Sequence, residues 1–363
     1  MGRLPTVSDV AKLAQVSRQT VSNALNSPEI VKATTLARVL EAVDTLGYRT
    51  NAGARRLRTQ RSSTIGVRFE PISDGVSGGL LDRFLHAITE QADSLGMRIL
   101  LFTAVSQEEE IAKIRQLRAG SDIDGVVLAS TFHGDRRTEW LVRDRTPFVM
   151  FGRPWGQGKA EVPPHRWVDV DGATGVKEAT SHLLSVGCER ILFLGWPSPS
   201  GTGDDRRNGW LEALATHAAA SSSSAMRLWE AQAQLLHVEC RDTLHDAETA
   251  TREALAAHPE VDGIVCASDS LAIGARIATV MTGRSDIPVV GFDNSAVAQA
   301  LGLSSVDQRL DLVAAATLEL LIPTMDGAPL DEADNHRLIS PQLIVRDTPI
   351  VLPLGSGEPR SSL

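Results

Sequence analysis

Between Thr6 and Leu46 apolar residues recur at helical spacing in three short blocks. Val7, Val10, Ala11 and Ala14 fall at i, i+3, i+4 and i+7, one inward stripe that ends near Gln15 and Val16. Ser17 stands where an N-cap is needed, and Val21, Ala24 and Leu25 give a second helix its own inward face. After a Ser27-Pro28 turn, Leu36, Val39, Leu40, Val43 and Leu46 predict a third helix, with Gly47 as its C-terminal cap. Two helices joined by a tight turn and closed by a third make an all-α helix-turn-helix. The next stretch is short, basic and interrupted by Gly53, and reads as a linker.

From Thr64 the period changes. Strands over 65–67, 97–102, 126–129 and 148–151 alternate with helices over 84–95 and 108–117. A second series has strands over 168–170, 191–194, 264–267 and 289–292, with helices over 173–184, around 210–215 and over 248–257. Such alternation means parallel β/α construction, here as two similar open sheets. The Ala- and Ser-rich run 218–225 reads as a loop, and the tail 354–363 as disordered.

The outward face of the second helix changes the picture from architecture to chemistry. Arg18 and Ser22 share one line and Gln19 and Asn23 another, each pair four residues apart. Arg can pair bidentately with guanine, and Asn or Gln with adenine, in the major groove. On spacing alone, any helical hairpin with a solvated polar face would look the same. Charge sharpens the reading: the first 61 residues hold ten Lys and Arg against four acids, a net +6, so the remainder carries −15 of the overall −9. A basic arm on an acidic body suits a DNA-binding module carried by a larger domain that does not touch DNA.

Other composition mainly excludes. The 42% hydrophobic content can fill the cores of two or three domains in 363 residues. No apolar run reaches the length of a bilayer span and no signal-peptide pattern opens the chain, so a soluble, cytoplasmic protein is expected, with no membrane partner. Cys188, Cys240 and Cys266 are odd in number and widely spaced, which predicts buried thiols. Gly75-Val76-Ser77-Gly78-Gly79 fits the nucleophile-elbow pattern, but Pro71 and its neighbours intervene between strand and Ser, so no catalytic residue is assigned. His237, Glu239 and Cys240 resemble half a zinc site without the rest of it; no metal or cofactor is expected. Carboxylates at strand ends are more promising, because open α/β sheets bind ligands there. Asp171, Asp269 and Asp293 each follow a strand, although each could equally cap the next helix.

The stretch from Thr6 to Asn26 resembles the headpiece of the lactose-repressor/galactose-repressor family of bacterial transcription regulators. Its pattern is met at Val7, Val10, Ala11, Ala14, Val16, Ser17, Thr20, Val21, Ser22, Leu25 and Asn26. Further matches run through Phe151-Gly152-Arg153, Val168 to Asp171, Ala267-Ser268-Asp269, Ile287 to Asp293, Val306-Asp307-Gln308 and Pro341 to Arg346. The resemblance implies base contacts by Arg18, Gln19 and Asn23, and phosphate contacts by Thr6, Ser17, Thr20, Ser22 and Asn26. It also implies a hinge helix carrying Tyr48, Asn51, Ala54, Arg55 and Leu57, which folds on operator DNA and wedges Leu57 into the minor groove.

The core implied by the resemblance is periplasmic-binding-protein-like, two Rossmann-like subdomains joined by three crossovers. The expected division is a headpiece at 1–50, a hinge at 51–61, a first subdomain at 62–162 with 297–323, and a second at 163–296 with 324–353. Effector contacts are expected from Arg153, Asp171, Trp196, Asp204, Arg206, Asp269 and Asp293. Asp204 stands where sugar-binding members often have Arg, which makes the pocket more acidic than usual. Together these imply a homodimeric repressor of a palindromic double-stranded operator, controlled by a sugar, with a purine or nucleoside as the alternative effector and no enzymatic activity.

Overall fold

The computed structural model describes residues 5–48, 61–69, 78–131, 135–155, 165–221, 235–329 and 335–346. Two compact units divide it, one N-terminal and ending at Ser62, the other beginning at Ser63. The small unit holds α1 (Val7–Leu13), α2 (Arg18–Asn26) and α3 (Ala33–Leu46). α1 starts on Thr6, whose N–H and hydroxyl both donate to Asp9, at 2.8 and 2.7 Å. α2 starts on Ser17, whose Oγ accepts from the Thr20 N–H at 3.0 Å. α3 ends on Gly47 in the left-handed region, φ +58°. Val10, Ala11, Ala14, Val21, Ala24, Val39, Ala42 and Tyr48 fill the core. Leu40, expected inward, is 48% exposed, because it lies about 100° around the helix from Val39.

The large unit has two lobes. The first is built on β1 (Thr64–Phe69), α4 (Gly78–Ser94), β2 (Arg98–Thr103), α5 (Gln107–Ala119), β3 (Gly125–Leu128), α6 (Arg137–Arg143), β4 (Phe148–Phe151) and β5 (Trp167–Val170). The second holds α7 (Gly172–Ser185), β6 (Ile191–Gly195), α8 (Thr202–Ser221), β7 (His237–Glu239), α9 (Leu244–Ala257), β8 (Gly263–Cys266), α10 (Asp269–Met281), β9 (Val289–Phe292), α11 (Ala296–Ala300) and β10 (Ser304–Asp307). The chain then returns to the first lobe through α12 (Leu310–Met325) and β11 (His336–Ile339), and ends its described course in the second with β12 (Gln342–Ile344).

The first sheet runs β11-β5-β4-β3-β1-β2 and the second β12-β10-β9-β8-β6-β7. Neighbours are parallel, with Gly66 beside Leu100 and Val126, and Val265 beside Phe193 and Val290; β12 alone among the described pairings is antiparallel. α4 and α12 cover one face of the first sheet through Phe84, Ile88, Val313 and Leu321, and Ile114 and Leu141 cover the other. The second lobe closes over Phe193, Trp210, Ile264, Leu271 and Phe292.

The expected division of the core is corrected at three strands. β5 and β11, placed in the second subdomain by the sequence reading, pair in the first sheet, and β10, placed in the first, pairs in the second. The chain therefore crosses between lobes after Val170, after Asp307 and after Ile339. α8 begins at Thr202 and runs to Ser221, so part of the expected loop 218–225 is helical, as alanine favours. Residues 222–225 and 354–363 lie outside the described residues.

Close helix crossing in the second lobe rests on Gly209. A Cβ there would lie 2.0 Å from the Ala173 carbonyl oxygen on α7, so neither backbone can give way locally. Gly209→Ala should lower stability by about 1–3 kcal/mol, read as a fall in Tm, whereas alanine at the exposed neighbour Asn208 should leave it unchanged.

Candidate functional site

On the small unit, Arg18 and Gln19 project into solvent from the first turn of α2, with Ser22 and Asn23 half-exposed one turn on. Gln19 Nε2 donates to Asn23 Oδ1 at 2.9 Å, which pre-orients two amides that can read one base edge. The Ser17 and Thr20 hydroxyls lie 2.9 Å apart at the start of the helix, where backbone N–H groups favour an anion. One expectation fails here. Tyr48 is 7% exposed in the core of the unit, so its ring is a packing element rather than part of the polar face. Asn51, Ala54, Arg55 and Leu57, and Gly75 to Ser77 of the rejected nucleophile pattern, lie outside the described residues; of Asn26, the helical position alone is described.

In the large unit the ends of β6, β8 and β9 of the second lobe converge on Arg206. It is 5% exposed on the first turn of α8, and its Nη1 donates to the Ala267 carbonyl at 2.5 Å. Its guanidinium carbon sits 3.7 Å from the centre of the Phe292 ring and 5.3 Å from that of Trp196. Asp293 Oδ1 is 4.0 Å from Arg206 Nη1 and accepts from Gln308 Nε2 at 2.6 Å. Burial and the nearby Asp269 push Asp293 up to about 7, against the pull of Arg206; burial likewise lowers Arg206. Arg206 Nε and Trp196 Nε1 are buried without a hydrogen-bond acceptor. Two orphan donors and a carboxyl group suit a neutral, hydroxyl-rich molecule, which both accepts and donates.

Arg153, after β4, reaches across from the first lobe. Nε donates to Asp169 Oδ2 at 2.5 Å, Nη2 to the Val170 carbonyl at 3.1 Å and, at 3.5 Å, to Asp205 Oδ2 of the second lobe. Both cleft arginines are thus matched by carboxylates, which leaves little attraction for an anionic ligand. Trp155, two residues on, stacks under Arg153 at 4.8 Å, and a Cβ on Gly201 would lie 2.5 Å from its ring.

Three of the expected effector residues are engaged by bonds within the fold. Asp171 caps α7, its carboxylate accepting from the Thr174 N–H at 3.0 Å and the Thr174 hydroxyl at 2.9 Å. Asp204 accepts from the Ser200 N–H at 3.0 Å and Ser198 Oγ at 3.2 Å, folding the loop that enters α8. Asp269 is not the cap of α10, a role taken by Ser268. Its two oxygens accept from Ser305 Oγ and the Ser295 N–H, each at 2.6 Å, so it braces the turn after β9 instead of facing the cleft. Asp169, Asp205, Trp155 and Gln308 were not found from sequence. Asp169 had a signal, a lone carboxylate between Val168 and Val170 in a buried strand.

The raised Asp293 makes stability depend on pH. Between the ordinary 3.8 and about 7 the folded chain keeps a proton that the unfolded chain has lost, so stability falls as pH rises through that window and levels off above it. Asp293→Asn removes the cost. The variant's Tm advantage over the parent should grow between about pH 4 and about pH 7 and stay constant above; a constant difference across the whole range would show that Asp293 is not held protonated.

Residues 6–51 match the family described as bacterial regulatory proteins, lacI family, and residues 81–322 match periplasmic binding proteins and sugar binding domain of LacI family. The chain is 30% identical to the HTH-type transcriptional regulator CelR of Thermobifida fusca, over 95% of this chain and 98% of that protein. It is 29% identical to the ribose operon repressor of Halalkalibacterium halodurans, over 95% and 97%. A structure of a CelR-cellobiose complex superposes with a TM-score of 0.63 at 27% identity, covering 94% and 99%. The lac repressor dimer bound to operator and the anti-inducer ONPF gives 0.73 at 21%, over 95% and 98%, a likeness of fold.

Proposed function

Because the chain belongs to the LacI family of bacterial transcription regulators, we propose that it is a repressor that binds a palindromic operator as a homodimer and responds to a neutral sugar. The observation that carries the sugar reading is Arg206 buried between Phe292, Trp196 and Asp293, with donors left open. Sugar hydroxyls would accept from Arg206 Nε and Trp196 Nε1 and donate to Asp293, while Arg153 closes the cleft from the first lobe. A purine effector has less support, since Phe292 is already covered by the Arg206 guanidinium. Among the described residues no helix is long and apolar enough to cross a membrane.

Two-fold symmetry of the dimer would set two α2 helices on successive major-groove half-sites. Base contacts are assigned to Arg18, Gln19 and Asn23, phosphate contacts to Thr6, Ser17, Thr20, Ser22 and Asn26, and the minor-groove wedge to Leu57, with Asn51, Ala54 and Arg55 alongside. Sugar binding that favours one relation of the lobes then lowers operator affinity by its differential affinity for the two states. Arg18→Ala should cost about 1–3 kcal/mol of operator affinity and relax preference at one base pair per half-site. Selection of duplexes from random DNA by parent and variant decides this: unchanged affinity and sequence preference would remove Arg18 from the reading face. The whole proposal is tested by gel shift on the selected duplex with and without cellobiose or ribose.

A further inference from the structure

Arg83 stands on α4 of the first lobe, yet its guanidinium is bonded to the second. Nη1 donates to the carbonyl oxygens of both Asp293, at 2.7 Å, and Asn294, at 3.0 Å, and Nη2 lies 3.7 Å from Asp307 Oδ2. Those two carbonyls belong to consecutive non-glycine residues with positive φ, +115° and +47°. Such backbone persists only where its surroundings hold it. Asn294 donates from its N–H to Ser305 Oγ and from Nδ2 to Asp307 Oδ2, and its Oδ1 accepts from Arg346 Nη2, all within the second lobe. Gln308, at the crossover into α12, holds the Asp293 side chain. Among the described contacts to this turn, the Arg83 bonds are those that arrive from the opposite lobe.

We propose that Arg83 is a positioning residue: by bridging the Asp293 and Asn294 carbonyls it fixes the turn that presents Asp293 to the cleft and ties that turn to the orientation of the first lobe. The inference rests on the reading of Asp293 as an effector contact for its regulatory half, while the positioning half stands on geometry alone. One nitrogen, Nη1, donating to two successive carbonyls while Nη2 faces Asp307 fits one relation of α4 to β9, so a change in the lobe angle must break or shift it. The first lobe also carries β1, which leads directly from the N-terminal unit in sequence, so a bond sensitive to lobe angle is placed to report the state of the Asp293 turn toward the DNA-binding end of the chain. The competing view is that Arg83 merely pairs with Asp307, a half-exposed contact of little consequence.

Arg83→Lys separates the two views, because lysine keeps the charge facing Asp307 but has a single nitrogen, one bond nearer the backbone, that cannot sit between the two carbonyls as Nη1 does and face Asp307 as well. In the full chain, amide exchange across 293–295 and 304–309 should quicken at least about fivefold in both Arg83→Gln and Arg83→Lys, with α4 itself unchanged. The ratio of operator affinities with and without cellobiose or ribose should fall by at least about fivefold in both variants. Parent-like exchange in both variants, or restoration of parent behaviour by lysine, overturns the proposal. If neither sugar alters operator binding by the parent chain, the sugar reading fails, and exchange alone decides whether Arg83 positions the turn.

Discussion

Arg206→Ala should abolish the sugar response and leave operator binding by the sugar-free protein within a few-fold of the parent. Removing one partner of a buried charge pair typically costs about 3–5 kcal/mol, and here the loss strips Phe292 and Trp196 of their covering cation as well. Part of that penalty is relieved by Asp293, which without Arg206 is pushed further up and takes a proton. The melting point of the large unit should therefore drop more at about pH 8 than at about pH 5. Arg206→Lys should not rescue the response, since an ammonium cannot bond the Ala267 carbonyl and also cover the Phe292 ring. Calorimetry with cellobiose and ribose reads the result; sugar binding by Arg206→Ala at parental affinity would place the effector elsewhere.

Leu57→Ala should produce the largest loss on the DNA side. The sequence around it contains Gly53, and Arg55, Arg56 and Arg58 stand close together, so intrinsic helix propensity is low and like charges repel. On the proposed function, operator DNA would neutralise the arginines and offer Leu57 an apolar slot between unstacked bases, and only a bent operator would accept the side chain. Leu57→Ala should thus lose operator affinity by an amount worth a few kcal/mol, and lose the DNA bend, while keeping most of its weak, salt-sensitive affinity for random duplex. Equal losses on both DNAs would make Leu57 a packing residue.

The helix-turn-helix was legible almost to the residue because its signals are local: the stripe of Val10, Ala11 and Ala14, the Ser17 cap and the Gly47 stop. Individual strands of the core were legible for the same reason, as short Val- and Ile-rich runs. What the sequence hid was partnership. Nothing local in 167–170, 304–307 or 336–339 tells which of two similar sheets a strand joins, and those are the segments that flank the crossovers. α10 was missed because Asp269 to Ala275 are buried all round, so no one-sided apolar stripe marks it; Gly274 serves close approach, a Cβ there lying only 2.6 Å from Ala247. β7 is three residues long, and its His237 and Glu239 were weighed as half a metal site when they belong to a strand whose His237 ring lies 5.9 Å from Phe193.

The cleft was half legible. Arg206, Asp293 and Trp196, named from sequence, lie together in the structure and Arg153 reaches toward them from the first lobe, whereas Asp171, Asp204 and Asp269 are engaged as caps and braces. Their position after a strand is shared by ligand-binding and capping carboxylates, and only the hydrogen bonds distinguish them. Arg83 and Gln308 were invisible for a related reason: each acts on a residue of the other lobe or of the crossover, more than ten positions away in sequence.

On the proposed function, one chain reads DNA with its first helices and is controlled through the Arg206 cleft. Fluorescence anisotropy of a labelled, protein-selected duplex, titrated with the full chain in the absence and presence of cellobiose or ribose, measures both at once. Binding at least about a thousandfold tighter than to scrambled duplex of the same length is expected, weakened about 5- to 150-fold by the sugar that binds, with Asp293→Asn abolishing the weakening but not the binding. Equal affinity for selected and scrambled DNA, or sugar-induced weakening that persists in Asp293→Asn, would contradict it.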